Sequence, residues 1–297
     1  MKSPPSACPI CAGGVRGVNA VIFCEPSFNS GPGYTSADEA YAMARVQLAI
    51  YEQWHAAGEF AIRGHGGDAN AMQAIILMEG ADAIRNVDDL DFFASSGVKI
   101  IGLAWQATRY AGGTGQPGPL TPEGRAIVRE IDKLKLIHDA SHLAEQSYWD
   151  LFELAERPVI ATHSNCRAIV RDDPRERHLS DDMIRRLLQR DGMIGINFFD
   201  KFLLPAEQFG QRRATLDDVI AHVKHVCDLA GNATQIGIGT DMDGGLGQQN
   251  IPVEIKTSGD LPKLGHALLA AGFNDADARG ILGENWRRFF DRVLPTA

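Results

Sequence analysis

Four apolar runs in the sequence end on side chains that can bind a cation or carry a proton. Ala74 to Met78 runs into Glu79-Gly80, and Leu136-Ile137 continues as His138-Asp139-Ala140-Ser141-His142. Val159 to Thr162 ends at His163-Ser164-Asn165, and Ile236 to Thr240 ends at Asp241-Met242-Asp243-Gly244. Glu79, His142 and His163 offer one carboxylate and two imidazoles, donors suited to a borderline cation such as zinc. Three such ligands leave a coordination position open, as a catalytic zinc requires for its water. Asp241 is then a carboxylate able to take a proton from that water. A lone histidine at a strand end is more often a hydrogen-bonded structural group, so it is the four together that point to chemistry.

Bringing four strand ends together requires parallel strands joined by crossovers. Short apolar runs do recur between longer amphipathic stretches: Val18 to Phe23, Ala74 to Met78, Val98 to Leu103, Leu136 to Ile137, Val159 to Ala161, Met193 to Ile196 and Ile236 to Gly239. Seven strands alternating with helices predict repeated βα units and a parallel sheet. In an α/β barrel the functional groups collect at the C-terminal ends of the strands, which is where these donors stand. Helix ends are legible as well. Ser36 to Ala57 has helical apolar spacing, Thr121-Pro122-Glu123 offers an N-cap with proline at the first helical position, and Thr215-Leu216-Asp217-Asp218 offers a cap with acids in the first turn. Gly231 and Gly272 are placed to close the helices that start at Thr215 and near Leu261. Gly112 to Pro119 reads as a loop by composition, with no P-loop lysine, and no G-x-G-x-x-G motif follows a strand.

At 297 residues, with 44% apolar and 23% charged residues, the chain fits one such globular barrel. The division expected is a tail over residues 1–12 and a barrel domain over 13–297. A net charge of −9 would repel a phosphate backbone, which excludes nucleic acid as a partner. There is no apolar run of 18 residues and no signal-peptide stretch at the start, so neither a membrane nor export is expected, and the reading is cytoplasmic. Five scattered cysteines, an odd number, argue against a disulfide framework. Cys8-Pro-Ile-Cys11 has zinc-knuckle or redox spacing but no second pair follows, so it reads as structural. His222 and His225 share one amphipathic helix, and with His55, His65 and His266 they read as surface or packing residues. His138 is expected to point into the helix layer, and His178 to cap a helix.

The strings Leu77-Met78-Glu79-Gly80-Ala81-Asp82, Asp139-Ala140-Ser141-His142, Ala161-Thr162-His163-Ser164-Asn165, Arg177-His178-Leu179-Ser180-Asp181-Asp182 and Gly239-Thr240-Asp241-Met242-Asp243-Gly244 resemble, in order and spacing, the renal (membrane) dipeptidase family of zinc metallopeptidases. The resemblance runs from about Gly13 to Trp286. It implies a TIM-barrel-like (β/α)8 fold, a site for two zinc ions, and hydrolysis of dipeptides with tolerance for a D-residue at the C-terminal position. By the same resemblance Glu79 bridges the two ions, His142 and His163 complete the second zinc site, Arg177 grips the free carboxylate of the substrate, and Asp241 passes a proton to the leaving amine. Without it, Arg177 reads as a surface partner of Asp181 or Asp182, and Asp241 as a turn residue.

Two departures from the family pattern stand out. The family carries a His-x-Asp pair on its first strand, and no such pair precedes Gly13 here, so the seven strands read as a barrel lacking its first βα segment. The expectation is loss of the first zinc, which would keep only Glu79 and Asp241, and retention of one ion at Glu79, His142 and His163. Unpaired strand edges would also favour a homodimer. The second departure is Leu103-Ala104-Trp105, where better-known relatives have a histidine that polarises the scissile carbonyl; Trp105 is read as a substrate-binding residue that offers only an indole donor. The function expected is a zinc-dependent dipeptidase acting through metal-activated water, impaired by the missing ligands. The alternatives are a non-catalytic member with one metal site and an amidohydrolase of another amide or a lactone.

Overall fold

A computed structural model of the chain describes residues 13–27, 32–66, 68, 71–171, 173–242 and 244–294. The tail over residues 1–12, with Cys8 and Cys11, lies outside them, as does Asp243. The described residues divide into two compact units: one comprises Gly17–Ile160 with Pro174–Arg177, the other Ala161–Asp173 with residues 178–294 and residues 13–16.

The first unit holds β1 (Gly17–Phe23), α1 (Ala37–Ala56), β2 (Ala61–Ile62), β3 (Gln73–Glu79), α2 (Asp89–Ser95), β4 (Val98–Gly102), β5 (Ala111–Gly113), β6 (Gln116–Leu120), α3 (Pro122–Lys133), β7 (Ile137–Asp139), α4 (Glu145–Leu154) and β8 (Val159–Ile160). Its main sheet is parallel in the order β1-β3-β4-β7-β8, with β2 paired to the start of β3. Ala74 to Met78 of β3 is buried at every residue. A strand covered on both faces needs a continuous apolar run rather than an alternating one, which is why this segment carries the clearest strand signal. Helix α1 buries Ala40, Ala44 and Leu48, one side of its cylinder, and starts where the Ser36 hydroxyl accepts from the Glu39 N–H. Helix α3 opens in the same way, with Thr121 accepting from the Gly124 N–H at 3.0 Å and Pro122 at the first turn.

The second unit holds α5 (Asp181–Gln189), β9 (Ile194–Ile196), α6 (Leu216–Ala230), β10 (Ile236–Ile238), α7 (Pro262–Ala270) and α8 (Asn285–Val293), with shorter helical turns between. Strands β9 and β10 pair in parallel, and Ala161 bridges in parallel to Ile194. Helix α6 is set by a capping box between Thr215 and Asp218 and ends at Gly231.

All seven apolar runs are therefore strands, and each runs parallel to its neighbour. Two features differ from expectation. The glycine-rich segment expected as a loop is an antiparallel hairpin, β5–β6, in register Ala111 with Leu120 and Gly113 with Gln116. Its prolines, Pro117 and Pro119, sit on a strand with a single partner, where a missing N–H is tolerated. Its turn passes through Gly115 at φ +77°, a conformation that glycine adopts without strain. The second difference is at His178: the cap of α5 is Ser180, whose hydroxyl accepts from the Met183 N–H, while His178 is buried with its ring edge-on to Phe202.

Candidate metal centre

Glu79 is the last residue of β3 and pairs in register with Phe23 on one side and Gly102 on the other. His142 lies three residues beyond β7, in a turn closed by the Asp139 carboxylate accepting from the Ser141 N–H at 2.9 Å. The turn carries His142 at φ +67°, unusual for a residue with a Cβ, and the imidazole is buried. Its Nε2 stands 3.1 Å from Oε1 of Glu79.

The other ring nitrogen decides the tautomer. His142 Nδ1 lies 3.1 Å from the Trp105 carbonyl oxygen, which can only accept, so Nδ1 carries the proton. Thr114, at the tip of the β5–β6 hairpin, fits the same assignment: its hydroxyl donates to the His142 carbonyl at 3.4 Å, and its oxygen lies 3.0 Å from Nδ1. Nε2 is then the ring nitrogen that faces the carboxylate oxygen. A cation, whether a proton or a metal ion, shared between the two would hold them together at that distance. A metal-ligating imidazole whose far N–H is held by a carbonyl has this arrangement.

His163 follows Thr162 at the end of the fifth apolar run; it is buried, and its Nδ1 is 2.8 Å from the Thr162 hydroxyl. Thr162 is itself closely packed: a Cβ on Gly195 or on Gly239 would overlap its carbonyl oxygen. Glu79 and His142 belong to one unit and His163 to the other, and between them these residues supply one carboxylate and two imidazoles. One carboxylate oxygen and two imidazole nitrogens suit zinc, and so the residues present fit the ion expected from the sequence.

Arg177 is 4% exposed, which sets aside the surface ion-pair reading; Asp181 and Asp182 pair with Arg185 instead. The segment that carries Arg177 is pinned at two points. The Gly115 N–H donates to the Arg175 carbonyl at 2.7 Å, and the Glu176 carboxylate accepts from the Glu145 N–H at 2.8 Å, at the first turn of α4. Trp105 stacks edge-on to Phe23 at 5.1 Å and lies 6.3 Å, ring to ring, from His142. Asp241 follows β10 at φ +58° and accepts a hydrogen bond from Asn197 Nδ2 at 3.0 Å.

The remaining histidines take structural places. His138 donates through Nε2–H to the Asp132 carboxylate of α3 at 2.8 Å, in the helix layer as expected. His222 is fully buried on α6, where its Nδ1 accepts from the Cys166 N–H and its Nε2–H donates to the Leu203 carbonyl. Burial is the main cause that lowers its pKa from the ordinary 6.5 to about 4. Burial also raises the thiol pKa of the neighbouring Cys166 far above its usual value, so that cysteine is an inert packing group. Sequence reasoning missed Thr114 and Asn197. Asn197 directly follows the run Met193 to Ile196, so the strand-end rule that found the others applies to it equally; Thr114 has no comparable signal.

The family described as membrane dipeptidase, peptidase family M19, matches residues 10–296. A Klebsiella pneumoniae protein described as uncharacterized, in the pqqA 5′ region, is 29% identical over 265 residues, covering 83% of this chain and 94% of its own length. Three further curated relatives are longer, and the chain spans about half of their lengths or less. The crystal structure of a family M19 metallopeptidase, dipeptidase AC, is 28% identical with a TM-score of 0.81, covering 96% of this chain and 88% of that one. A Rhodobacter sphaeroides metallopeptidase, crystallised with a phosphinate mimic of L-Ala-D-Ala, is 26% identical with a TM-score of 0.81, covering 96% of this chain and 89% of that one. The fold is α/β and TIM-barrel-like. No helix among the described residues is long and apolar enough to cross a membrane. The chain belongs to the membrane dipeptidase family, peptidase family M19, and is a metallo-dipeptidase.

Proposed function

We propose that the chain hydrolyses dipeptides with a single zinc ion held by Glu79, His142 and His163. The observation that supports this is the contact of His142 Nδ1 with the Trp105 carbonyl, which leaves Nε2 as the ring nitrogen facing the Glu79 carboxylate. Donor chemistry supports zinc over the harder cations, because two of the three proposed ligands are imidazoles. When bound, such an ion lowers the pKa of a water and polarises a carbonyl oxygen. The protein side chains have separate tasks. Arg177 receives the free carboxylate of the dipeptide, for which a planar guanidinium offers two parallel N–H donors. Asp241 takes the proton lost by the attacking water and delivers it to the departing amine nitrogen. Trp105, with Phe23 against it, presents an apolar wall to a substrate side chain. Binding of an L-Ala-D-Ala mimic by the Rhodobacter relative supports dipeptides with a C-terminal D-residue as the first substrates to try.

The test is metal analysis of the purified chain combined with turnover of a dipeptide panel that includes C-terminal D-residues. Near one zinc per chain, with dipeptide hydrolysis lost on chelation and regained on zinc addition, is the expected result. Zinc should also raise the thermal midpoint of the wild type and leave that of His163→Ala unchanged, since a ligand stabilises only the state that binds it. Hydrolysis of lactones or other amides but not of dipeptides would overturn the substrate assignment, and zinc binding without turnover would make the chain a non-catalytic member.

A further inference from the structure

We infer that Asn197 is a positioning residue that fixes the carboxylate of Asp241 for proton transfer, an inference that rests on the assignment of that step to Asp241. Asn197 is 0% exposed, and its side-chain amide cannot be turned around. Its Oδ1 lies 2.7 Å from the Phe199 N–H, a group that only donates, so the oxygen faces Phe199 and the NH2 faces Asp241.

The backbone of Asn197 is held as firmly as its side chain. Its N–H donates to Asn165 Oδ1 at 2.8 Å, and its carbonyl accepts from Asn165 Nδ2 at 3.1 Å. Asn165 Nδ2 also donates to the Phe202 carbonyl at 2.7 Å, which fixes the orientation of that second amide in turn. On the far side of Asp241, Oδ1 lies so close to Gly244 that a Cβ there would overlap it. The carboxylate is thus bracketed between a fixed amide donor on Oδ2 and a glycine on Oδ1.

This arrangement has a directional consequence. An N–H donated into Oδ2 is worth most while Oδ2 carries negative charge, so the amide holds Oδ2 as its acceptor and thereby fixes the direction in which Oδ1 points. A carboxylate held in one rotamer also presents that oxygen without a search among alternatives, and misplacement by an ångström costs about 100-fold in rate.

The discriminating substitution is Asn197→Asp, which keeps the shape and the acceptor for Phe199 but removes the donor. The expected result is a kcat lowered about 10- to 100-fold with KM and zinc content close to wild type, and a thermal midpoint lowered by the second carboxylate brought beside Asp241. A double-mutant cycle supplies the second readout: in an Asp241→Asn background, Asn197→Asp should cost nothing further, because its only route to the reaction has been removed. Should N197D melt early, Asn197→Ser, whose hydroxyl can still accept from Phe199, carries the same comparison. Unchanged kcat in N197D beside a crippled D241N would overturn the positioning role, as would losses that multiply in the double mutant. Full kcat in D241N would instead overturn the assignment of Asp241 on which the inference stands.

Discussion

The hydroxyl of Thr114, a hairpin-turn residue, reaches Nδ1 of His142 at 3.0 Å while donating to the His142 carbonyl. It shares with the Trp105 carbonyl the task of keeping the ring proton on Nδ1. Partners of this kind typically contribute 10- to 100-fold to metal affinity. Thr114→Val, nearly the same shape, should therefore weaken zinc binding by about 10-fold, read by competition against a chelator of known affinity. An unaltered zinc Kd would show that Trp105 alone suffices.

Arg177, proposed to receive the substrate carboxylate, is buried, and the segment that carries it is tied to the hairpin and to α4. Arg177→Lys keeps the charge and loses the planar fork. KM for free dipeptides should rise by about 10-fold or more with kcat changed much less, and a dipeptide amide, lacking the carboxylate, should be nearly indifferent to the substitution. Equal effects on both substrates would place Arg177 elsewhere in the reaction.

Gly195 lies against the Thr162 carbonyl, where an added methyl group has no room. Gly195→Ala should destabilise the protein by about 1–3 kcal/mol, as overpacking does, measured as a shift in the urea midpoint. Because Thr162 precedes His163, zinc affinity should fall with it. A variant as stable as wild type would mean that the strands separate readily at this point.

His222 gives the folded state a pH limit. Its folded pKa, about 4, lies below its ordinary 6.5, so the unfolded chain takes up the proton first. The associated stability is full above pH 6.5, declines as pH falls toward 4 and then levels, a loss of about 3 kcal/mol over that window. His225 and Asp218, the charged groups acting on it, pull in opposite directions and are the lesser causes. Urea unfolding at pH 7 and pH 5 measures the decline, and His222→Gln should flatten it. A wild-type stability constant between those two pH values would contradict a buried neutral imidazole.

Much of this protein is legible in its sequence, for a physical reason. Parallel strands buried on both faces must be continuous apolar runs, and side chains that leave such a sheet for a ligand stand just past the runs. Glu79, His142, His163 and Asp241 therefore stand out as candidates by position alone, and the helix caps at Ser36, Thr121 and Thr215 are read from local hydrogen-bonding chemistry. Asn197 stood at such a position too, but an amide carries no charge and was passed over.

What only the tertiary structure decided depends on residues distant in the chain. The Gly112 to Pro119 segment has loop composition, yet it folds back as a hairpin because its strands find each other as partners and Gly115 supplies the turn. Through that hairpin Thr114 meets a histidine 28 residues away, at the ring nitrogen that also faces the Trp105 carbonyl. A sequence fixes which atoms can donate or accept, because that is covalent chemistry; which of them face each other is set by packing, and the tautomer of His142 and the orientation of the Asn197 amide follow from it.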